Sequence, residues 1–128
     1  MGAWLCRPAS LQDVLAMFDK DGRVSHKKLH AARRMRPYVA EQSRRFADYL
    51  VLEGVPRDLQ ATVEVLMVLQ FFFKDQEHVW EQHFARGLAY LYRCTWEKDT
   101  HRLLALATRA WAGMSPVNET SGRLVVVR

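Results

Sequence analysis

The sequence predicts an all-α protein, a single compact bundle of five to six helices with a short C-terminal tail. Apolar residues recur at helical spacing along most of its 128 residues, and strand-like alternation is almost absent. A hydrophobic content of 49% is typical of a folded chain, and the length suits one domain with its own core. We assign residues 1–113 to the bundle and residues 114–128 to a tail, which is either mobile or a single edge strand.

The first two helices are expected at about residues 10–19 and from Ser25 to about Met35. Ser10 and Ser25 are suitable N-cap residues. The stretch FDKDG between them begins like a calcium-binding loop, but either alignment with such a loop puts basic side chains where ligand oxygens are required. We instead expect a connector in which an aspartate accepts hydrogen bonds from backbone N–H groups and Gly22 takes a positive φ.

Helices three and four are expected to be longer. Pro37 disfavours helical geometry in the residue before it, so a kink or break is expected at Arg36. A third helix then ends at Gly54, a residue type that suits the C′ position. The fourth helix, from about Pro56 to Phe73, is apolar nearly all round. We therefore expect it at the centre of the bundle or in a subunit interface.

The fifth and sixth helices are predicted to be amphipathic. After a short break or polar turn at residues 74–75, helix five extends to about residue 94, with an apolar stripe that begins at Trp80. Residues 95–99 are expected to form a connector, and helix six ends at Gly113.

Basic residues are concentrated in helix two and in the connector before it. The formal net charge is +5, and residues 20–45 carry nine Lys and Arg against two acidic residues, whereas residues 46–81 carry two against seven. This asymmetry favours a surface that faces a polyanion, or antiparallel self-association. At 100° per residue the basic side chains of helix two share one face, except that of Lys28, which falls among the packed positions. Arginines of helix five could widen this face. The residues predicted to contact nucleic-acid phosphates are Arg23, Lys27, His30, Arg33, Arg34, Arg86 and Arg93.

Sequence patterns for catalysis and for metal binding are weak. The sequence has no Gly-rich phosphate loop, no GxSxG motif and no CxxC motif. His26 and His30 have the spacing of two ligands to one metal, but the neighbouring Lys and Arg residues would repel a cation. Glu77 and Glu81 fit the solvated flank of a helix better than an acid–base pair. We therefore predict no catalytic residues, no metal site and no cofactor, and we expect that the protein is not an enzyme.

The charge pattern leads to a functional prediction. We expect a small, basic, non-catalytic helical protein that contacts the phosphate backbone of DNA or RNA, as a subunit or accessory of a nucleoprotein assembly. Base-specific recognition by a helix-turn-helix is disfavoured, because the turn from Lys20 to Val24 is longer than usual. A solvated helix face that binds nothing is the structural alternative.

A second function stays open on the sequence alone. The protein would then be a protein–protein interaction module, that is, an adaptor, inhibitor or assembly factor. It would act through an apolar face of helices four and five, with a homo-oligomer as one form. For either function we expect a cytoplasmic protein without a membrane partner. The sequence shows no signal-peptide pattern and no membrane-length apolar run, and its two cysteines make no disulfide framework.

Overall fold

The computed structural model describes residues 10–33 and 37–114 and confirms the all-α bundle. Within these ranges the chain forms α1 (Leu11–Leu15), α2 (His26–Arg33), α3 (Pro37–Leu52), α4 (Arg57–Phe72), a 3₁₀ turn (Lys74–Gln76), α5 (Glu77–Cys94) and α6 (Glu97–Gly113). The kink expected at Arg36 and the predicted tail from residue 115 onward lie outside the described residues. The assignment of residues 1–113 to one domain stays a prediction.

The first helix is shorter than predicted. It begins with a capping box, in which the Ser10 side chain accepts from the Asp13 backbone and the Asp13 carboxylate accepts from the Ser10 backbone, both at 3.1 Å. The helix ends at Leu15 and does not continue to residue 19, because the chain turns back on itself. Phe18 pairs with Val24 in an antiparallel bridge. The expectation of a helix over 10–19 was therefore wrong in its second half.

The connector after α1 is a hairpin loop that depends on Gly22. The Asp19 carbonyl accepts from the Gly22 backbone at 3.0 Å, the Arg23 carbonyl accepts from the Asp19 backbone at 2.7 Å, and Gly22 has a φ of 92°. The carboxylate of Asp21 accepts from the Arg23 backbone at 3.1 Å. Both the positive φ and the aspartate hydrogen bond were predicted and are confirmed. A Cβ atom at position 22 would overlap the carbonyl oxygen of Arg86 on α5.

Helix α4 is the centre of the bundle, as predicted. Residues 61–69 are all buried, so every side of the helix is covered, and α4 packs against α3, α5 and α6. Two of these buried residues are Thr62 and Glu64. The Thr62 hydroxyl accepts a hydrogen bond from the Val24 backbone at 3.0 Å, which fastens the hairpin loop to the core.

An aromatic cluster joins three of the helices around Trp111 of α6, whose side chain is fully buried. Its ring meets Phe46 of α3 edge-on, with centroids 5.0 Å apart, and Phe72 of α4 edge-on at 6.1 Å. The amide of Gln42 donates to the Trp111 carbonyl at 3.3 Å. One side chain therefore holds α3, α4 and α6 together.

Of the two connections that flank α5, one agrees with the sequence expectation and the other is shorter. The expected break at residues 74–75 is the 3₁₀ turn, so the prediction of a short interruption is confirmed. The connector expected at 95–99 is shorter, because α6 already begins at Glu97. Trp96 acts as the N-cap, and its carbonyl accepts from the Thr100 backbone at 2.9 Å. None of the helices within residues 10–33 and 37–114 is long and apolar enough to cross a membrane.

Candidate nucleic-acid interface

The exposed face of α2 carries part of the predicted basic surface. Lys27 and His30 are exposed, whereas Leu29 on the other side of the helix is buried. Lys28, which falls among the packed positions, extends its ammonium group to the Ala16 carbonyl at 3.3 Å. Arg34 and the side chain of Arg33 lie outside the described residues.

Arg57 joins this face, although the sequence did not indicate it. The ring of His26 donates from Nε2 to the Arg57 carbonyl oxygen at 2.7 Å, which brings the first turn of α4 against α2. The Arg57 side chain is exposed there. In the sequence this arginine is one of two basic residues in an acidic segment, so its charge was not counted with those of helix two.

A cavity of about 460 Å³ lies where α2, α3 and α4 meet. Its rim and its floor differ in chemistry, since charged residues of the rim are exposed and the residues below them are buried. The lining residues are His26, Lys27, Leu29, His30, Ala47, Arg57, Gln60, Ala61 and Glu64. We call this space the α2–α4 cavity. It sits inside the basic surface and is large enough for a small organic ligand, since such sites span about 300–1,000 Å³.

The other predicted arginines form a second group around the hairpin loop. Arg93 of α5 donates from Nη2 to the Asp21 carbonyl at 2.7 Å, and its guanidinium carbon lies 5.9 Å from the centroid of the Tyr90 ring. Arg23 is half-buried, and its Nε atom has no hydrogen-bond partner within the described part of the chain. Arg86 is exposed, and its backbone touches the loop at Gly22.

Acidic residues lie close to this second group. Burial raises the pKa of the Tyr90 hydroxyl, a hydrogen bond with Cys94 raises it further, and the nearby charges of Arg23 and Asp58 lower and raise it, respectively. Arg23 and Asp58 therefore both lie near Tyr90, beside the first turn of α4. The negative charge of Asp58 therefore partly offsets the positive charge of Arg23.

The five predicted residues whose side chains the structure describes are therefore divided between two neighbouring groups. Lys27 and His30 surround the α2–α4 cavity, and Arg23, Arg86 and Arg93 surround the hairpin loop. The two groups approach each other at the start of α4, where Arg57 and Asp58 follow each other in the chain. The residues that sequence reasoning missed are Arg57, Gln60 and Glu64. Only Glu64 left a signal, as an acidic residue within an otherwise apolar helix.

The described side chains offer no arrangement for a metal ion. Among them, no three His, Cys, Asp or Glu residues are grouped closely enough to hold one. The His26–His30 pair is not free for a shared cation, because the Nε2 atom of His26 donates to a carbonyl and Lys27 lies between the two.

Comparison of the chain with protein-family models, curated proteins and solved structures finds no match.

Proposed function

We propose that the protein contacts the phosphate backbone of nucleic acids through the surface around Lys27, His30 and Arg57, as a non-catalytic accessory of a nucleoprotein assembly. The observation that supports this proposal is the convergence of these exposed side chains from α2 and α4 at the α2–α4 cavity. Cations on two rigid helices can neutralise adjacent phosphates and release counterions, with little dependence on base sequence.

The second group of arginines extends the same surface. Arg93 uses one guanidinium nitrogen for the Asp21 carbonyl, which fixes its direction and leaves other donors available. A strand that crosses the start of α4 would meet Arg57 first and then the hairpin loop with Arg23 and Arg93.

The binding test uses nuclease-treated protein and labelled, mixed-sequence, single- and double-stranded DNA and RNA. Fluorescence anisotropy at about 50 and 200 mM salt should show micromolar or tighter binding that weakens steeply with salt. Lys27→Ala should lower the slope of log K against log salt by about 0.9 on double-stranded DNA, the value for one lost phosphate contact.

Lys74→Ala is the matched control. Lys74 is an exposed lysine in the 3₁₀ turn after α4, whereas Arg57 of the proposed surface begins α4. Lys74 therefore lies about 24 Å from Arg57 along the axis of this 16-residue helix. Lys74→Ala should leave the salt slope unchanged. Equal effects of the two substitutions, or no binding at 50 mM salt, would contradict the proposal.

A protein–protein interaction module is the second candidate. Exposed apolar side chains favour it, since Leu52 is 84% and Val51 61% exposed at the end of α3, and Phe71 of α4 is 38% exposed. Under this proposal the protein self-associates in sedimentation velocity experiments and does not bind oligonucleotides.

A further inference from the structure

The α2–α4 cavity has two chemically distinct ends. Lys27, His30 and Arg57 are exposed at its rim. Leu29 and Glu64 are buried at its floor, with exposed fractions of 6% and 1%. A ligand that fills the cavity would therefore meet cations near solvent and a carboxylate at depth.

The rim selects for an anion. Two cations and a histidine at the entrance disfavour metal ions and organic amines, because like charges repel at short range. Lysine and arginine are the side chains that most often bind phosphate groups. The Lys27 and Arg57 side chains are both exposed, so an incoming phosphate can reach both of them.

The floor selects for a hydrogen-bond donor on a flat, apolar body. Leu29, Ala47 and Ala61 supply apolar wall. A carboxylate accepts hydrogen bonds at about four positions, so Glu64 can accept from a ligand alongside its contacts within the protein. Carboxylates pair with the exocyclic amino group of cytosine in this way, whereas the O4 atom that replaces this group in uracil is an acceptor.

We propose that the α2–α4 cavity binds a nucleoside 5′-monophosphate whose base carries an exocyclic amino group. The phosphate lies at Lys27 and Arg57, and the base points toward Glu64. The inference rests on the proposed function in that both use Lys27 and Arg57. The nucleotide is either free or the 5′-terminal residue of a strand, since both present the same groups to the cavity.

The first test measures binding of CMP, UMP, cytidine and ribose 5-phosphate to the full chain by isothermal titration calorimetry. CMP should bind at least about tenfold more tightly than UMP, because Glu64 can accept from the amino group of cytosine but meets an acceptor at the same place in uracil. Cytidine and ribose 5-phosphate should each bind more weakly than CMP. Equal affinity for CMP, UMP and ribose 5-phosphate would overturn the proposal.

Three variants test which part of the nucleotide lies at the rim of the α2–α4 cavity and which part lies at its floor. Lys27→Ala should weaken the binding of CMP but leave the affinity for cytidine unchanged. Glu64→Gln should reduce the preference for CMP over UMP. Because Glu64 is buried, its variant is checked for folding by circular dichroism. Ala47→Leu, a half-buried position that lines the cavity, should block all nucleotides without altering a charge. Unchanged CMP binding by Ala47→Leu would place the nucleotide elsewhere and overturn the proposal.

Oligonucleotides with a 5′-phosphate or a 5′-hydroxyl distinguish the two sources. Tighter binding of the phosphorylated strand, with competition by CMP, identifies a strand terminus as the ligand. CMP binding without any oligonucleotide binding supports a free nucleotide and contradicts the proposed function. Salt-dependent oligonucleotide binding without CMP binding overturns this inference and leaves the proposed function intact.

Discussion

His83 on α5 is a half-buried histidine that packs beside Phe18. Its ring centroid lies 5.8 Å from that of Phe18, and its Nδ1 atom is buried without a hydrogen-bond partner among the described residues. Burial lowers the pKa of His83, and the nearby charge of Arg86 lowers it further. The folded protein therefore takes up this proton less readily than the unfolded chain, in which a histidine titrates at about 6.5.

Acid should consequently destabilise the protein through His83. Stability rises with pH wherever the unfolded state binds more protons, so this contribution is lost as pH falls from about 6.5 toward the lowered pKa of the folded state. Urea midpoints at pH 7.5 and 5.5 measure the loss. His83→Phe should reduce the loss of stability between these two pH values. His78→Phe, at an exposed position, should leave that loss as in the unchanged protein. An identical pH dependence for all three proteins would refute this role.

Single residues show where sequence reasoning succeeds and where it stops. The exposure of Lys27 and His30 follows from angular position on α2, since Leu29 and Val24 must face the core. The participation of Arg57 could not be foreseen, because it depends on a contact between elements 31 residues apart, from His26 to the Arg57 carbonyl. The burial of Glu64 could not be foreseen either, because it depends on how the other helices pack around α4.

At the scale of the element, two glycines with positive φ differ in how much space surrounds them. Gly54 follows α3 in a Schellman motif, in which its backbone donates to the Val51 carbonyl and that of Val55 donates to the Leu50 carbonyl, both at 3.0 Å. Its φ is 77°, and a Cβ atom there would meet nothing within 4 Å. At Gly22, by contrast, a Cβ atom would overlap backbone atoms of Arg86.

Alanine at these two positions should therefore have unequal costs. Gly54→Ala should lower the free energy of unfolding by about 1–2 kcal/mol, the cost of left-handed geometry for an L-residue. Gly22→Ala adds overpacking against α5, which contributes a further ~1–3 kcal/mol. Denaturant unfolding of both variants checks the difference. If Gly22→Ala were the milder change, the close packing of the loop on α5 would be disproved.

The elements differ in how well their boundaries were predicted. The central position of α4 follows from its composition, because a helix that is apolar on all sides must be covered on all sides. The early end of α1 does not follow from composition. Phe18 fits the apolar side of a continued helix equally well, and only its pairing with Val24 and the docking of Gly22 on α5 decide against it.

At the scale of the whole molecule, Trp111 tests whether the bundle unfolds as one unit. Trp111→Ala should cost about 3–5 kcal/mol, since it removes a large buried side chain between α3, α4 and α6. That is a large part of a typical stability of about 5–15 kcal/mol. Thermal unfolding followed in parallel by near- and far-ultraviolet circular dichroism should show a lower but still shared midpoint.

Trp96→Ala is the control for this change. Trp96 is 76% exposed, so its loss should alter stability by no more than about 0.5 kcal/mol. Separate midpoints for the two signals in the unchanged protein would show that the helices unfold independently and would contradict a single cooperative bundle.

The bond between Asp21 and Arg93 also constrains the protein during its synthesis. It joins residues 72 positions apart. At about 5–20 residues per second, the ribosome therefore needs on the order of 4–14 s after making the hairpin loop before it supplies Arg93. Phe18 and Gly22, which meet His83 and Arg86 of α5, lack these neighbours for most of that time. The nascent chain thus exposes an apolar N-terminal segment to chaperones until α5 has emerged.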